Sequence, residues 1–252
     1  MKRLIKKTHA ALFVLSLFLL HLPFVFAKSV PEAKTETTVL TKVSSHLNFD
    51  IDSKNSIIYD SLQLGSLGLS RQAFMEACKG YNYLRSEGKL NNEDVLSIVD
   101  FSLPSSEKRL FIIDMDSLKV LYNTYVAHGK NSGREYARHF SNSPKSNMSS
   151  VGFFITGNTY YGEHGLSLRL QGEEKGINDN AARRAIVIHC ADYVSEKMIK
   201  AFGYIGRSLG CPALPKKYAE PIIKTIKDGS CLFIYSPNEK YKLKSPLLQE
   251  AS

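Results

Sequence analysis

Apolar positions follow different rhythms along the chain, and these divide it into regions. From Ala10 to Phe26 they run almost unbroken, interrupted late by His21 and Pro23. From Lys28 to about Asn55 the rhythm is lost. Ser, Thr, Lys and Glu dominate there, which predicts a flexible leader over 28–55. Near Ile57 a helical pattern sets in. Ser70 is a candidate N-cap, and Phe74, Ala77, Cys78, Tyr81 and Leu84 then share one helical face that ends near Gly88. Residues 56–94 therefore read as a helical N-terminal region.

Strand-like runs take over beyond it. Val95 to Phe101, Arg109 to Met115 and Leu118 to Val126 are short, rich in β-branched or aromatic residues, and separated by turn formers, the pattern of a β-meander. Residues 129–150 are polar and too long for an ordinary hairpin loop, and loops of that size often carry function. Ser149 and Ser150 read there as turn residues, and Asn147-Met148-Ser149 matches a glycosylation triplet that nothing else supports. Val151 to Thr156, Leu166 to Leu170, Ala185 to Ile188 and Ser230 to Tyr235 are further strands. Val194 to Phe202 and Lys216 to Lys227 are helices, the second interrupted early by Pro221. The pattern predicts a mainly β unit with a few helices, an α+β fold, over 95–240 and a tail over 241–252.

Charge and composition refine this. Lys2, Arg3, Lys6 and Lys7 precede the first apolar run, and Val25-Phe26-Ala27 closes it with a small residue, the layout of a secretory signal peptide over 1–27. The uninterrupted run is shorter than the roughly 20 residues a spanning helix needs, so export with cleavage is expected rather than a membrane anchor. The formal net charge of +9 falls once those four basic groups are removed. The remaining modest positive balance suits an anionic cell-wall polymer. No Lys/Arg block interleaved with aromatics appears, so nucleic acid is not an expected partner. Four cysteines are few for a disulfide scaffold of this size.

The stretch Ile186 to Leu214, IVIHCADYVSEKMIKAFGYIGRSLGCPAL, concentrates the candidate chemistry. An apolar run delivers His189, and a glycine-flanked turn presents Cys211 between Gly210 and Pro212, where proline restricts the backbone. Taken alone, a buried cysteine and a satisfied histidine are an ordinary core pair. Arg207 and Ser208, however, place positive charge and a hydroxyl just before the thiol, and Gly206 and Gly210 allow backbone N–H groups to turn toward a reacting carbonyl. The local reading is a cysteine nucleophile, Cys211, with His189 as base. Papain-like peptidases place Cys before His, the reverse of the order here. A zinc site from His189, Cys190 and Cys211 would lack a fourth ligand.

Several blocks together resemble a known family. They are AHGKNSG (127–133), FSNSPKSNMSSVGF (140–153), HGLSLRLQG (164–172), NDNAARRAIVIHCADYVS (178–195) and GRSLGCPAL (206–214). The chain resembles the L,D-transpeptidase (YkuD-like) family, in its murein L,D-transpeptidase catalytic domain branch, from about Ile98 to Tyr235. The resemblance implies a mainly β, sandwich- or barrel-like catalytic domain over 95–240. It implies a Cys211 acyl-enzyme with His189 as base, N–H groups of Leu209, Gly210 and Cys211 around the oxyanion, and no metal or cofactor. Stem tetrapeptides of peptidoglycan would be the substrate and carbapenem-type compounds candidate inhibitors, in a periplasmic or cell-wall location. His128, His164 and Arg169 lie in family-like blocks and are candidate pocket residues with Arg207 and Ser208. The sequence departs from the motif at Leu209, which stands where the family has a second histidine, and in a slightly longer spacer between His189 and Ser208. Arg207 is then the candidate source of positive charge. Two other readings remain open: an L,D-carboxypeptidase that uses water as acceptor, and a peptidoglycan-binding module without turnover.

Overall fold

A computed structural model of the protein describes residues 51–249. The expected signal peptide and nearly all of the 28–55 leader lie outside them. Residues 51–61 are already helical, so helix begins earlier than the apolar pattern suggested. The next helix, α1 (Arg71–Ser86), starts where Ser70 predicts: the Ser70 hydroxyl accepts the N–H of Ala73 at 3.1 Å. Its buried stripe runs through Phe74, Ala77, Cys78, Tyr81 and Leu84. Gly80 lies on the same stripe for a packing reason. A Cβ there would come within 2.2 Å of Phe153 Cζ, so only a bare backbone lets α1 lie so close to the sheet.

That sheet has eight strands: β1 (Val95–Asp100), β2 (Leu110–Asp114), β3 (Lys119–Thr124), β4 (Gly152–Gly162), β5 (Gly165–Gly172), β6 (Val187–Cys190), β7 (Ala213–Leu214) and β8 (Cys231–Tyr235). Their spatial order is β3-β2-β1-β8-β4-β5-β6-β7. The first three form the meander that the sequence indicates. β8 returns between β1 and β4, parallel to β1. Alternate side chains of the central strands enter two cores. Leu96, Ile98, Phe111, Phe153 and Phe233 join the residues of α1, while Val99, Ile112, Phe154, Leu232 and Ile234 join Ile222, Ile223 and Ile226. Cover on both faces explains why these strands read as nearly continuous apolar runs.

Between β6 and β7 lies α2 (Glu196–Phe202), and after β7 comes α3 (Lys216–Ile226). α3 continues through Pro221 instead of breaking there. Pro221 faces solvent, so the carbonyl that loses its N–H partner one turn earlier can be hydrated. The stretch expected as a tail is helical up to residue 249, as α4 (Glu239–Lys244) and α5 (Pro246–Gln249). Tyr241, Leu247 and Leu248 are buried in the α1 core, and the Tyr241 and Ser245 hydroxyls both reach the buried Glu174 carboxylate. Both the N-terminal helical region and these last helices thus belong to the core of the β unit.

The architecture is the expected α+β one, a single curled sheet with helices packed on both of its faces. Its curl closes at one point. Ala127, just beyond β3 at one end of the order, bridges Ala213 in β7 at the other, with Ala127 N–H to Ala213 O at 2.9 Å.

Candidate active site

Where the two ends of the sheet meet, β6 and β7 run parallel with His189 opposite Ala213 and Cys190 opposite Leu214. Cys211 enters β7 two residues ahead of that pairing. His189 and Cys211 therefore sit on adjoining segments, offset along the strand direction. His189 is buried, and its Nδ1 lies 2.9 Å from the carbonyl of Cys190. A carbonyl can only accept, so Nδ1 carries the proton and Nε2 keeps its lone pair. Burial lowers the pKa of His189, against the Cys190 carbonyl, and the neighbouring His164 lowers it further. The imidazole is thus neutral at pH 7, the form that can take a proton.

The thiol of Cys211 directs itself to the carbonyl of Ala185 at 3.6 Å. Burial pushes it above its ordinary value, while the Val187 N–H and the Arg184 guanidinium pull it back. Ala185 is held at φ 53°, a left-handed conformation that is costly for any residue with a side chain. The resting pair is accordingly a thiol and a neutral imidazole, and among the described residues no hydrogen bond joins them directly.

The turn before Cys211 is clasped by one side chain. Ser208 Oγ accepts the N–H of Gly210 at 3.0 Å and donates to the carbonyl of Cys211 at 2.6 Å. Gly210 adopts φ +130°, and a Cβ on it would lie 2.9 Å from Met148 O, so conformation and space both call for glycine. Because its N–H is taken by Ser208, Gly210 is not free to serve an oxyanion, in contrast to the sequence-based expectation. The N–H groups of Leu209 and Cys211 are the donors left from that set. The Leu209 side chain is 65% exposed and holds nothing in the turn.

The other expected pocket residues divide. His164, at the tip of the β4–β5 hairpin, stacks on His189 with ring centroids 4.5 Å apart, and its carbonyl accepts the Cys190 thiol at 3.1 Å. Arg169 projects from β5 beside Val187, its guanidinium over the ring of Tyr160. His128 is different. It is fully buried, with Nδ1 receiving a hydrogen bond from Arg109 Nη2 at 2.7 Å and Nε2 facing Gly133 O at 3.3 Å. Both ring nitrogens are engaged, so His128 pins the 128–133 loop rather than touching a ligand. Arg207 also turns away from the thiol, toward the carbonyls of Lys130 and Gly133. The same loop is tied to the clasped turn through Ser208 N–H to His128 O and Lys130 N–H to Ser208 O.

Three groups that the sequence reading did not place in the site belong to it. Ser149, expected as a turn residue, is buried; its hydroxyl accepts the N–H of Gly129 at 3.0 Å and donates to Gly210 O at 3.4 Å. Ser150 and Arg184 join the same scaffold: Arg184 donates to Ser150 Oγ, Ser141 O, Ser146 Oγ and Met148 O. The one available signal was the Arg183-Arg184 pair directly before an apolar strand. Among the described residues no group of three His, Cys, Asp or Glu side chains could hold a metal ion.

No curated protein sequence matches the chain. Solved structures that match include an L,D-transpeptidase from Mycobacterium smegmatis, 13% identical, covering 57% of this chain and 59% of that one with a TM-score of 0.35. An Enterococcus faecium L,D-transpeptidase is 13% identical over 56% of this chain and 50% of its own, with a TM-score of 0.36. The helical cell shape determining protein Pgp2 from Campylobacter jejuni is 14% identical over 68% of this chain and 62% of its own, with a TM-score of 0.39. This chain thus spans between half and two thirds of each of them. The model of the L,D-transpeptidase catalytic domain matches residues 66–235, more than half of the sequence, and the chain belongs to that family.

Proposed function

We propose that this protein is an exported cysteine L,D-transpeptidase that acts on peptidoglycan stem tetrapeptides through Cys211, with His189 as its base. The observation that carries the reading is the state of His189: neutral, buried, its Nδ1 proton fixed on the Cys190 carbonyl and its Nε2 lone pair free, on the strand adjoining the Cys211 turn. A small approach of the two side chains on substrate binding completes the pair, since catalytic hydrogen bonds are often long before the substrate arrives.

In the first half-reaction His189 Nε2 takes the Cys211 proton as sulfur attacks the carbonyl of the residue before the terminal D-residue. The oxyanion receives the N–H groups of Leu209 and Cys211. Collapse breaks the peptide bond, His189 returns the proton to the leaving amine, and a thioester remains on Cys211. An acceptor amine then attacks the thioester, gives its proton to His189, and the thiol is restored. Water in place of the amine would make the same site a carboxypeptidase. Export is read from the basic and apolar pattern of residues 1–27.

The experiment incubates the purified protein with tetrapeptide muropeptides and an amine acceptor. Release of the terminal D-residue, a Cys211-linked acyl adduct by mass spectrometry and loss of both in Cys211→Ala are expected. Turnover by Cys211→Ala at the parent rate would refute the mechanism, and free tripeptide without exchange product would assign hydrolysis instead.

A further inference from the structure

With Leu209 in place of the motif's second histidine and Arg207 occupied by the carbonyls of Lys130 and Gly133, the positive charge expected beside the thiol is missing from both sequence positions that could supply it. A different arginine lies there. Arg184 Nη2 is 3.4 Å from where a Cβ of Gly210 would stand, next to the nucleophile, and the residue after Arg184 carries the carbonyl that receives the Cys211 thiol. Its guanidinium is half-buried, and its two terminal nitrogens are fully committed. Nη1 donates to Ser141 O and Ser150 Oγ, and Nη2 to Met148 O at 2.6 Å and Ser146 Oγ at 3.3 Å. Those four acceptors are neutral, so the charge is held in place without being cancelled by an acid.

We propose that Arg184 is the positioning cation of the Cys211 thiolate, taking over the charge of the histidine that Leu209 replaces, and that the polar 141–150 segment serves to hold it there. The inference rests on Cys211 being the nucleophile. The long Ser- and Asn-rich loop thereby acquires a purpose. Its acceptors fix the guanidinium against the clasped turn, while Asn147 and Lys145 take left-handed φ values of 56° and 59° in the tight path this requires. Among the described residues the groups bearing on the sulfur are few. They are the Val187 N–H and Ala185 carbonyl from the segment leading through β6, the Arg184 guanidinium, and from the α2 side the Tyr193 phenol, kept neutral because burial pushes it to about 12. His189, two register positions along β6, takes the proton when the thiol ionises.

The test is the pH dependence of iodoacetamide alkylation at Cys211, followed by peptide mass spectrometry in the full-length protein. Arg184→Gln should displace the profile upward by about one pH unit, making alkylation about tenfold slower at pH 7.5. Arg184→Lys, which keeps the charge but cannot make all four contacts, should restore most of the rate. Ser146→Ala, which removes the longest of the four contacts, at 3.3 Å, and leaves the other three to hold the cation, should leave the profile in place. An unmoved profile in Arg184→Gln overturns the proposal. So does a profile for Arg184→Lys displaced as far as that of Arg184→Gln, or for Ser146→Ala displaced as far, since bracing alone would then be the cause. Should Arg184→Gln fail to fold, a profile for Arg184→Lys or Ser146→Ala that lies about one pH unit above the parent's overturns the proposal by itself. Alkylation needs no stem peptide, so a parent enzyme that alkylates as described but forms no acyl adduct would refute the transpeptidase reading and not this one.

Discussion

Replacing His128 with glutamine should remove an acid sensitivity built into the site's scaffold. His128 is fully buried beside the Arg109 guanidinium, and burial, reinforced by that charge, pushes its pKa from the ordinary 6.5 down to about 3. In the unfolded chain the same ring titrates normally. Between these two values the unfolded state binds the proton that the folded state refuses, so stability rises with pH. The contribution is complete above about pH 6.5 and is lost as pH falls toward about 3. From pH 7 to pH 5 the loss is about 2 kcal/mol, and it depends little on the folded value provided that it stays below about 4. Glutamine can accept from Arg109 and donate to Gly133 without titrating. Urea unfolding of parent and His128→Gln at both pH values isolates the effect, because every other titrating group cancels in the difference of differences. The parent should lose about 2 kcal/mol more than the variant. Equal losses within roughly 0.5 kcal/mol would show that His128 is not held neutral, and with it the account of the 128–133 loop would fail.

The clasp on the Cys211 turn gives a paired expectation: Ser208→Ala removes an acceptor and a donor worth about 1–2 kcal/mol to the folded turn, so the melting temperature should fall by a few degrees and acylation of Cys211 should slow by no more than roughly 30-fold. The acid limb of the acylation rate should lie below pH 6.5, since burial lowers His189, and His164→Phe, which keeps a stacked ring but removes a neighbouring charge, should move that limb upward. In the core, Gly80→Ala forces a methyl against Phe153, which is stacked on Phe233 at a centroid distance of 4.2 Å, and should cost about 1–3 kcal/mol in thermal unfolding despite alanine's better helix propensity.

Much of the fold could be read from local chemistry. Ser70 and the stripe from Phe74 to Leu84 specify α1, and the strands over 95–126 follow from their β-branched runs and turn residues, because both signals depend on neighbours within a few positions. The end of the chain was harder. Tyr241, Leu247 and Leu248 are too few to show a period, and what orders them is the Glu174 carboxylate, remote in sequence. The site divides in the same way. His189, Ser208, Gly210 and Cys211 stand out by residue type and spacing. Arg207 and His128 were assigned toward the thiol or pocket because sequence proximity cannot reveal which way a side chain points. Arg184 carries no local signal beyond the Arg183-Arg184 pair, and Ser149 reads only as a turn residue, because their partners come from a different part of the chain.

The bridge between Ala127 and Ala213 also bears on when the proposed chemistry of Cys211 could begin. β7 is only two residues long and cannot persist alone; it is sewn on one side to β6 and on the other to the segment after β3. Such distant pairings are slow to assemble, since the intervening loops must close before any contact rewards them. A nascent or partly folded chain would therefore carry its sulfur as an ordinary unaligned thiol, and chemical competence would arrive as one of the last events of maturation.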